Sequence, residues 1–233
     1  MYVYGKNVAK DLIKNNKKIH KAIIWENFSD RNLISDLEKL NIPIIYKTKK
    51  QIDELANGNH QGIILNIPDY KFADLDDLKP NNGELPFLVM LDHLEDPHNF
   101  GAIIRTCESA GVDGIIIPKD RSVDVNSTVM KTSAGTLDRV KICMVTNLAN
   151  TIEELKKNGY WIIGTALEGE DYTTLDYNMP ICLIIGNEGN GISRLVKEKC
   201  DFMATIPMKG EVNSLNASVA TGIMIYEVLE KRK

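Results

Sequence analysis

From residue 87 to residue 230 the chain alternates short, unbroken apolar runs with stretches of helical periodicity, and few folds accept that pattern. The runs predict strands at Phe87 to Leu91, Ile115 to Ile117, Arg139 to Val145, Trp161 to Ala166, Ile181 to Ile185 and Met203 to Ile206. Between and after them, helices are predicted over about 99–110, 126–134, 151–158, 191–199 and 213–230. A strand that is apolar on both faces must be covered on both faces, so the spacing predicts a mostly parallel, doubly wound α/β sheet. Ligands of such sheets sit beyond the carboxyl ends of strands. The loops after Leu91, Ala166, Ile185 and Ile206 are therefore where chemistry is expected.

The first third predicts a smaller α/β layer of its own. A helix is expected over about 5–16, a strand at Ala22 to Glu26, a helix over about 31–40, a strand at Ile42 to Tyr46, a short helix, and a strand at Gly62 to Ile67. Residues 68–86 then bring three prolines, five acids and the turn signal Asn81-Asn82-Gly83, a linker composition. The expected division is a small domain at 1–70, a linker at 71–84 and a larger domain at 85–233.

Charge separates the two parts. Residues 1–72 carry 12 basic against 8 acidic residues, and residues 73–233 carry 16 against 24, so the acidic balance of −4 hides a basic start. Six lysines and one acid fall in the first 21 residues, and Lys6, Lys10, Lys17 and Lys18 are candidates for phosphate contacts. A solvated helix face explains the same lysines. No apolar run approaches the roughly 20 residues of a membrane helix, and the start MYVYGKNVAKDL has no signal-peptide core, so a cytoplasmic location is expected. Cys107, Cys143, Cys182 and Cys200 stand singly in apolar contexts and are expected to be buried thiols.

Three loops carry candidate chemistry. The first, Gly186-Asn187-Glu188-Gly189-Asn190-Gly191, lets a ligand approach the backbone but places a carboxylate where a pyrophosphate would be repelled. A cofactor without phosphates suits it, and so does a purely structural turn. The second, Lys209 to Ser218, enters the last helix, with Asn213 or Ser214 as expected cap and Asn216 and Ser218 in the first turn. The third, Asp96 to Thr106, puts Asn99 at a helix start and the cation Arg105 about two turns further on, beside Ile103, Ile104 and Cys107. A phosphate or a structural carboxylate could satisfy that guanidinium. A metal site built on Asp92, His93 and His98 is the distant alternative; no metal is expected.

Taken together, Asn99 to Thr106 (N-x-G-A-I-x-R-T), Gly186 to Gly191 (G-N-E-G-x-G) and Ile206 to Ser218 (I-P-M-x-G-x-x-x-S-L-N-x-S) resemble the SpoU family of RNA 2′-O-methyltransferases. Gly5-Lys6-Asn7-Val8 and His60-Gln61-Gly62 are similar to elements of that family's RNA-binding domain, whose fold is like a ribosomal L30-type protein. The resemblance implies a trefoil knot in the large domain, its last strands and helix threaded through an earlier loop. It implies S-adenosylmethionine as cofactor, held by Thr165, Leu167, Ile185, Gly186, Asn187, Ile206, Met208, Ser214, Leu215 and Ser218. It gives Arg105 the catalytic role, with Asn99, Glu188 and Asn216 orienting ribose, loop and arginine. An RNA partner, a guanosine of 23S ribosomal RNA by preference over transfer RNA, and a homodimer complete the expectation. A noncatalytic RNA-binding protein is the competing class.

Overall fold

The computed structural model describes residues 1–56, 58–78, 84–211 and 214–233. It divides into two compact units, one of residues 1–71 with 125–131 and one of residues 72–124 with 132–233.

The smaller unit runs β1 (Tyr2–Tyr4), α1 (Lys6–Lys14), β2 (Lys21–Trp25), α2 (Arg31–Lys39), β3 (Ile44–Lys47), α3 (Lys49–Asp53) and β4 (Ile63–Asn66). Its sheet has the order β1-β4-β2-β3, parallel only between β2 and β3. β1 was not predicted, because three residues with only Val3 buried give no periodicity. It is held by pairing with β4 and by the chain's amino group, which donates to the Ile67 carbonyl at 2.7 Å. α2 begins at the Asp30 cap and α3 at a capping box of Thr48 and Gln51. Val3, Leu12, Ile24, Leu33, Leu37 and Leu65 fill the core between helices and sheet.

Further along the chain come β5 (Phe87–Asp92), α4 (Pro97–Ser109), β6 (Gly114–Pro118), α5 (Ser127–Thr132), β7 (Ile142–Val145) and α6 (Leu148–Lys157), then β8 (Trp161–Asp171), β9 (Ile181–Gly186), α7 (Arg194–Lys197), β10 (Phe202–Thr205) and α8 (Ala217–Lys231). Most of α5, through Lys131, clusters with the smaller unit. The strands of the larger unit form one sheet of order β10-β8-β9-β5-β6-β7, parallel throughout. Every residue of β5 is buried, as its unbroken apolar run requires. Leu88, Met90, Ile116, Ile162 and Ile184 share one core, each burial worth about 1.5–3 kcal/mol.

Four boundaries depart from the sequence reading. β7 starts at Ile142, not Arg139, which lies in a turn and pairs with Glu108 at 3.2 Å. α7 is a single turn instead of a helix over 191–199, because residues 187–191 close into a tight bridge before it. α8 starts at Ala217 behind its cap Asn216, so Ser214 is not the cap; Asn213 lies outside the described residues. β8 continues past Ala166 to Asp171: its register against β10 jumps between the Gly164–Met203 and Glu170–Ala204 pairs, so residues 165–169 arch out of the ladder. Alternation alone cannot show such an arch, since it sits inside a strand.

Arg232, just past α8, was not singled out in the sequence and closes the large unit. Its guanidinium donates to the carbonyls of Leu85, Pro86, Tyr177 and Met179 at 2.6 to 3.3 Å and lies over the Phe87 ring. Removing it strands several half-buried carbonyls. Arg232→Met is expected to lower unfolding free energy by about 2–3 kcal/mol, read as a lower urea midpoint at unchanged slope. Cys107, Cys143 and Cys182 are buried as expected and Cys200 is half-buried; burial raises all four thiols above the ordinary range, Cys143 and Cys200 to about 11. Since the thiolate is the reactive form, native protein at pH 8 is expected to resist a disulfide reagent, and urea-unfolded protein to react at all four cysteines.

Candidate functional site

A cavity of about 500 Å³ opens in the larger unit, walled by the arch after Gly164, the loop after β9 and the segment from β10 to α8. That volume lies in the range of small-molecule sites. Thr165 and Leu167 come from the arch, Ile185, Gly186 and Asn187 from the β9 end, and Ile206, Met208, Ser214 and Leu215 from the third segment. Nine of the ten residues expected to hold a cofactor thus share one wall. The tenth, Ser218, does not: its hydroxyl donates to the Asn216 side chain at 2.6 Å. Asn216 also accepts from the backbone of Ser218 and Val219, which fixes the start of α8.

The sequence reading missed Glu168, Ile192, Ala217 and Ala220, which also line the space. Ala217 and Ala220 are three apart on α8 and small, and that spacing was the available signal. The rim is unusually apolar for exposed loops, with Leu167 65%, Met208 37% and Leu215 37% exposed. Two carboxylates, Glu168 and Glu188, and one cation, Lys197, border the same space. The apolar rim with a net acidic border fits a ligand with a flat ring and a positive charge.

The loop after β9 is held from below. Asn187 and Gly191 exchange two backbone hydrogen bonds, 3.0 and 2.9 Å, and the Asn187 side chain accepts from Gly189 and Asn190 while donating to the His93 carbonyl at 2.8 Å. Asp92, 1% exposed, accepts from the Ser193 backbone at 2.6 Å with one oxygen and bonds the His93 ring with the other. Asp92 and His93, weighed from the sequence as metal ligands, are thus engaged with the loop and each other. Among the described residues no three His, Cys, Asp or Glu side chains converge.

α4 supplies the other half. Asp96 caps it, Pro97 fits its first turn, and Asn99, 6% exposed, donates to the Glu188 carboxylate at 2.8 Å. Asn99 and Glu188, 89 positions apart in the chain, therefore meet, a contact the sequence reading did not anticipate. Arg105 stands outside the cavity wall. It is exposed, and its guanidinium has no hydrogen-bond or ion-pair partner among the described residues, so it is not the structural salt bridge weighed from sequence. An unneutralised cation close in sequence to a carboxylate-bearing cleft can take an anionic group of an incoming substrate.

In the smaller unit Lys10 pairs with Asp30 at 3.2 Å, and Lys6 lies 4.9 Å above the Phe28 ring. Lys18 is exposed at the surface beyond α1.

Comparison with known proteins agrees with this geometry. The profile described as "SpoU rRNA Methylase family" matches residues 86–226, and "RNA 2'-O ribose methyltransferase substrate binding" matches residues 2–73. YacO of Bacillus subtilis (strain 168), assigned to the TrmH family of tRNA/rRNA methyltransferases, is 45% identical over 238 residues, 99% of this chain and 96% of its own. An AdoMet-bound rRNA methyltransferase from Sinorhizobium meliloti superimposes with a TM-score of 0.74 at 27% identity, over 98% of this chain and 86% of that one. A TrmH/SpoU tRNA modifying enzyme of A. aeolicus gives 0.59 at 32% identity over 67% of this chain and 79% of that one.

Proposed function

This chain belongs to the SpoU rRNA methylase family and is an RNA methyltransferase; on that premise we propose that it uses S-adenosylmethionine to methylate a ribose 2′-hydroxyl, on a guanosine of 23S ribosomal RNA. The carrying observation is the convergence of two separate sequence motifs on one cavity of about 500 Å³, with the third motif bonded to its wall through Asn99 and Glu188. The apolar rim suits an adenine, the two carboxylates suit a sulfonium, and the Sinorhizobium relative carries that cofactor. Ribosomal RNA is favoured because the rRNA methyltransferase matches both units, whereas the tRNA modifying enzyme matches 67% of the chain. Transfer RNA is the second reading, since YacO's family spans both substrates.

When bound, the cofactor supplies an electrophilic methyl group. The protein must align a ribose oxygen with it and manage the proton that oxygen loses. Arg105 holds the neighbouring phosphate and stabilises the oxyanion as it develops. A guanidinium holds its proton in water and is a poor proton acceptor, so its work is electrostatic. Asn99 fixes Glu188 and Asn216 fixes the entry of α8, keeping the loops in place before substrate arrives. The lysine-rich start, Lys6, Lys10, Lys17 and Lys18, contributes phosphate contacts.

A homodimer joins the larger units. Val219 and Tyr226, 50% and 54% exposed and two turns apart on α8, give that helix an apolar face beside the cavity. The enzyme works in the cytoplasm, with its RNA; among the described residues no helix is long and apolar enough to cross a membrane.

The test is to map 2′-O-methylation in ribosomal and transfer RNA from cells with and without the gene, and to transfer labelled methyl in vitro. Loss of one guanosine mark in 23S RNA, restored by purified protein and S-adenosylmethionine, is the expected result. Loss of a transfer RNA mark instead moves the substrate to the second reading, and failure to bind the cofactor returns the chain to a noncatalytic RNA binder.

A further inference from the structure

The smaller unit has its own cavity, of about 330 Å³, where Gly5-Lys6 and His60-Gln61-Gly62 come together with Trp25 and Phe28. Local geometry ties these pieces. His60 bonds Asp53 through Nε2 at 2.7 Å and accepts from the Gly62 backbone at Nδ1 at 2.9 Å. The Gln61 side-chain carbonyl accepts from the Lys6 backbone at 2.8 Å, joining the loop to the start of α1. Gly62 has φ +83°, and a Cβ there would stand 2.9 Å from the Phe28 ring, so only glycine lets that ring lie against the loop. The Lys6 ammonium lies 4.9 Å from the Phe28 ring centroid.

What remains unsatisfied defines the ligand. Two half-buried aromatic side chains, Trp25 and Phe28, face a space bordered by the cations Lys6 and Lys49. The Trp25 indole N–H and the Gln61 amide N–H groups make no hydrogen bond among the described residues, and Asn59 adds a further amide at the rim. Aromatic faces beside amides and cations match one nucleotide: a base to stack, base edges to bond, a phosphate to neutralise. The volume is small for anything larger, and a paired base has no free face to offer.

We propose that this cavity captures a single unpaired nucleotide of the substrate RNA, its base against Trp25 and Phe28 and its phosphate between Lys6 and Lys49. The smaller unit thereby selects a bulge or loop of the substrate. This rests on the reading that the substrate is RNA. It makes Trp25 and Phe28 specificity residues, separate from the methyl-transfer cavity.

Full-length protein is titrated with a short RNA duplex carrying one bulged 2-aminopurine, and with the same duplex fully paired. The expected result is about tenfold tighter binding of the bulged duplex, with the 2-aminopurine emission quenched on binding. Trp25→Ala brings the two duplexes to parity, and Trp25→Phe restores most of the preference. Lys49→Gln weakens the bulged duplex more than the paired one and lowers the bulged duplex's salt slope by about one. Because Trp25 packs beside the small core of Ile52 and Ala56, a second measurement uses wild-type protein: 5-iodouridine at the bulge is expected to cross-link to Trp25 or Phe28. Equal affinity for both duplexes, a preference that survives Trp25→Ala, or a cross-link mapped only to the larger unit overturns the proposal. Methyl transfer and cofactor affinity are measured on the same preparations, so methylation without bulge preference sinks this inference and leaves the enzymatic reading standing. Bulge capture without cofactor binding does the reverse.

Discussion

Arg105→Ala is expected to lower methyl transfer by roughly 10²–10³-fold while leaving S-adenosylmethionine affinity within about twofold. The guanidinium lies outside the cavity wall, so the cofactor does not lose a contact. It is exposed and without a partner among the described residues, so the fold does not lose an ion pair either. What disappears is a fixed positive charge for the phosphate and the developing alkoxide. Arg105→Lys is expected to recover little, because an ammonium cannot reproduce the planar, bidentate grip on a phosphate. An equal loss of cofactor affinity and transfer would move Arg105 into the cofactor site. If the dimer brings one protomer's Arg105 to its partner's cavity, heterodimers of Arg105→Ala with a cofactor-loop mutant regain part of the activity, because one of their two sites has both parts intact. Purified heterodimers without activity would place Arg105 at the cavity of its own chain.

Replacing Gly186 removes the cofactor site by another route. A Cβ at this position would stand 2.3 Å from the Gly191 carbonyl carbon and 2.4 Å from the Ile192 nitrogen. Both are backbone atoms that cannot swing aside. The paired hydrogen bonds between Asn187 and Gly191 would open, and with them the turn that carries Glu188 to Asn99. Gly186→Ala is therefore expected to weaken cofactor binding about 100-fold or more, a loss of roughly 2.7 kcal/mol, and Gly186→Val to be no better. The sequence suggested a different cause, a ligand that approaches the bare backbone closely, under which a single methyl group would be mild. Calorimetry on folded Gly186→Ala separates the two: binding within a few-fold of wild type would restore the close-approach account.

The neighbouring interactions show where reading residues in order stops. Asp92 was noticed only as a possible metal ligand because it stands beside His93. Its actual partner, the Ser193 amide, is 101 positions away. Buried and charged, it must find such donors, yet nothing local says which. Arg232 is similar: a basic residue near the carboxyl end of a helix is ordinary, and its four carbonyl partners lie up to 147 positions off. The Trp25 and Phe28 cavity was also invisible, since Gly5-Lys6 and His60-Gln61-Gly62 were noted as separate elements.

The sequence by itself determined the α/β class, the parallel character of the large sheet, the position of most strands, and the three loops proposed to carry the chemistry. Each is a local property: an unbroken apolar run cannot be satisfied with one face in water, and glycine, asparagine and serine in a strand-to-helix loop keep their backbone character in any context. Tertiary structure alone decided that Thr165 to Gly169 arch out of a continuous strand, that this arch shares one wall with the loops after β9 and β10, and that Arg105 stands exposed while Asn99 bonds Glu188. Strand order and register set these, and they depend on which side chains pack across the whole sheet, a quantity that no window of sequence contains.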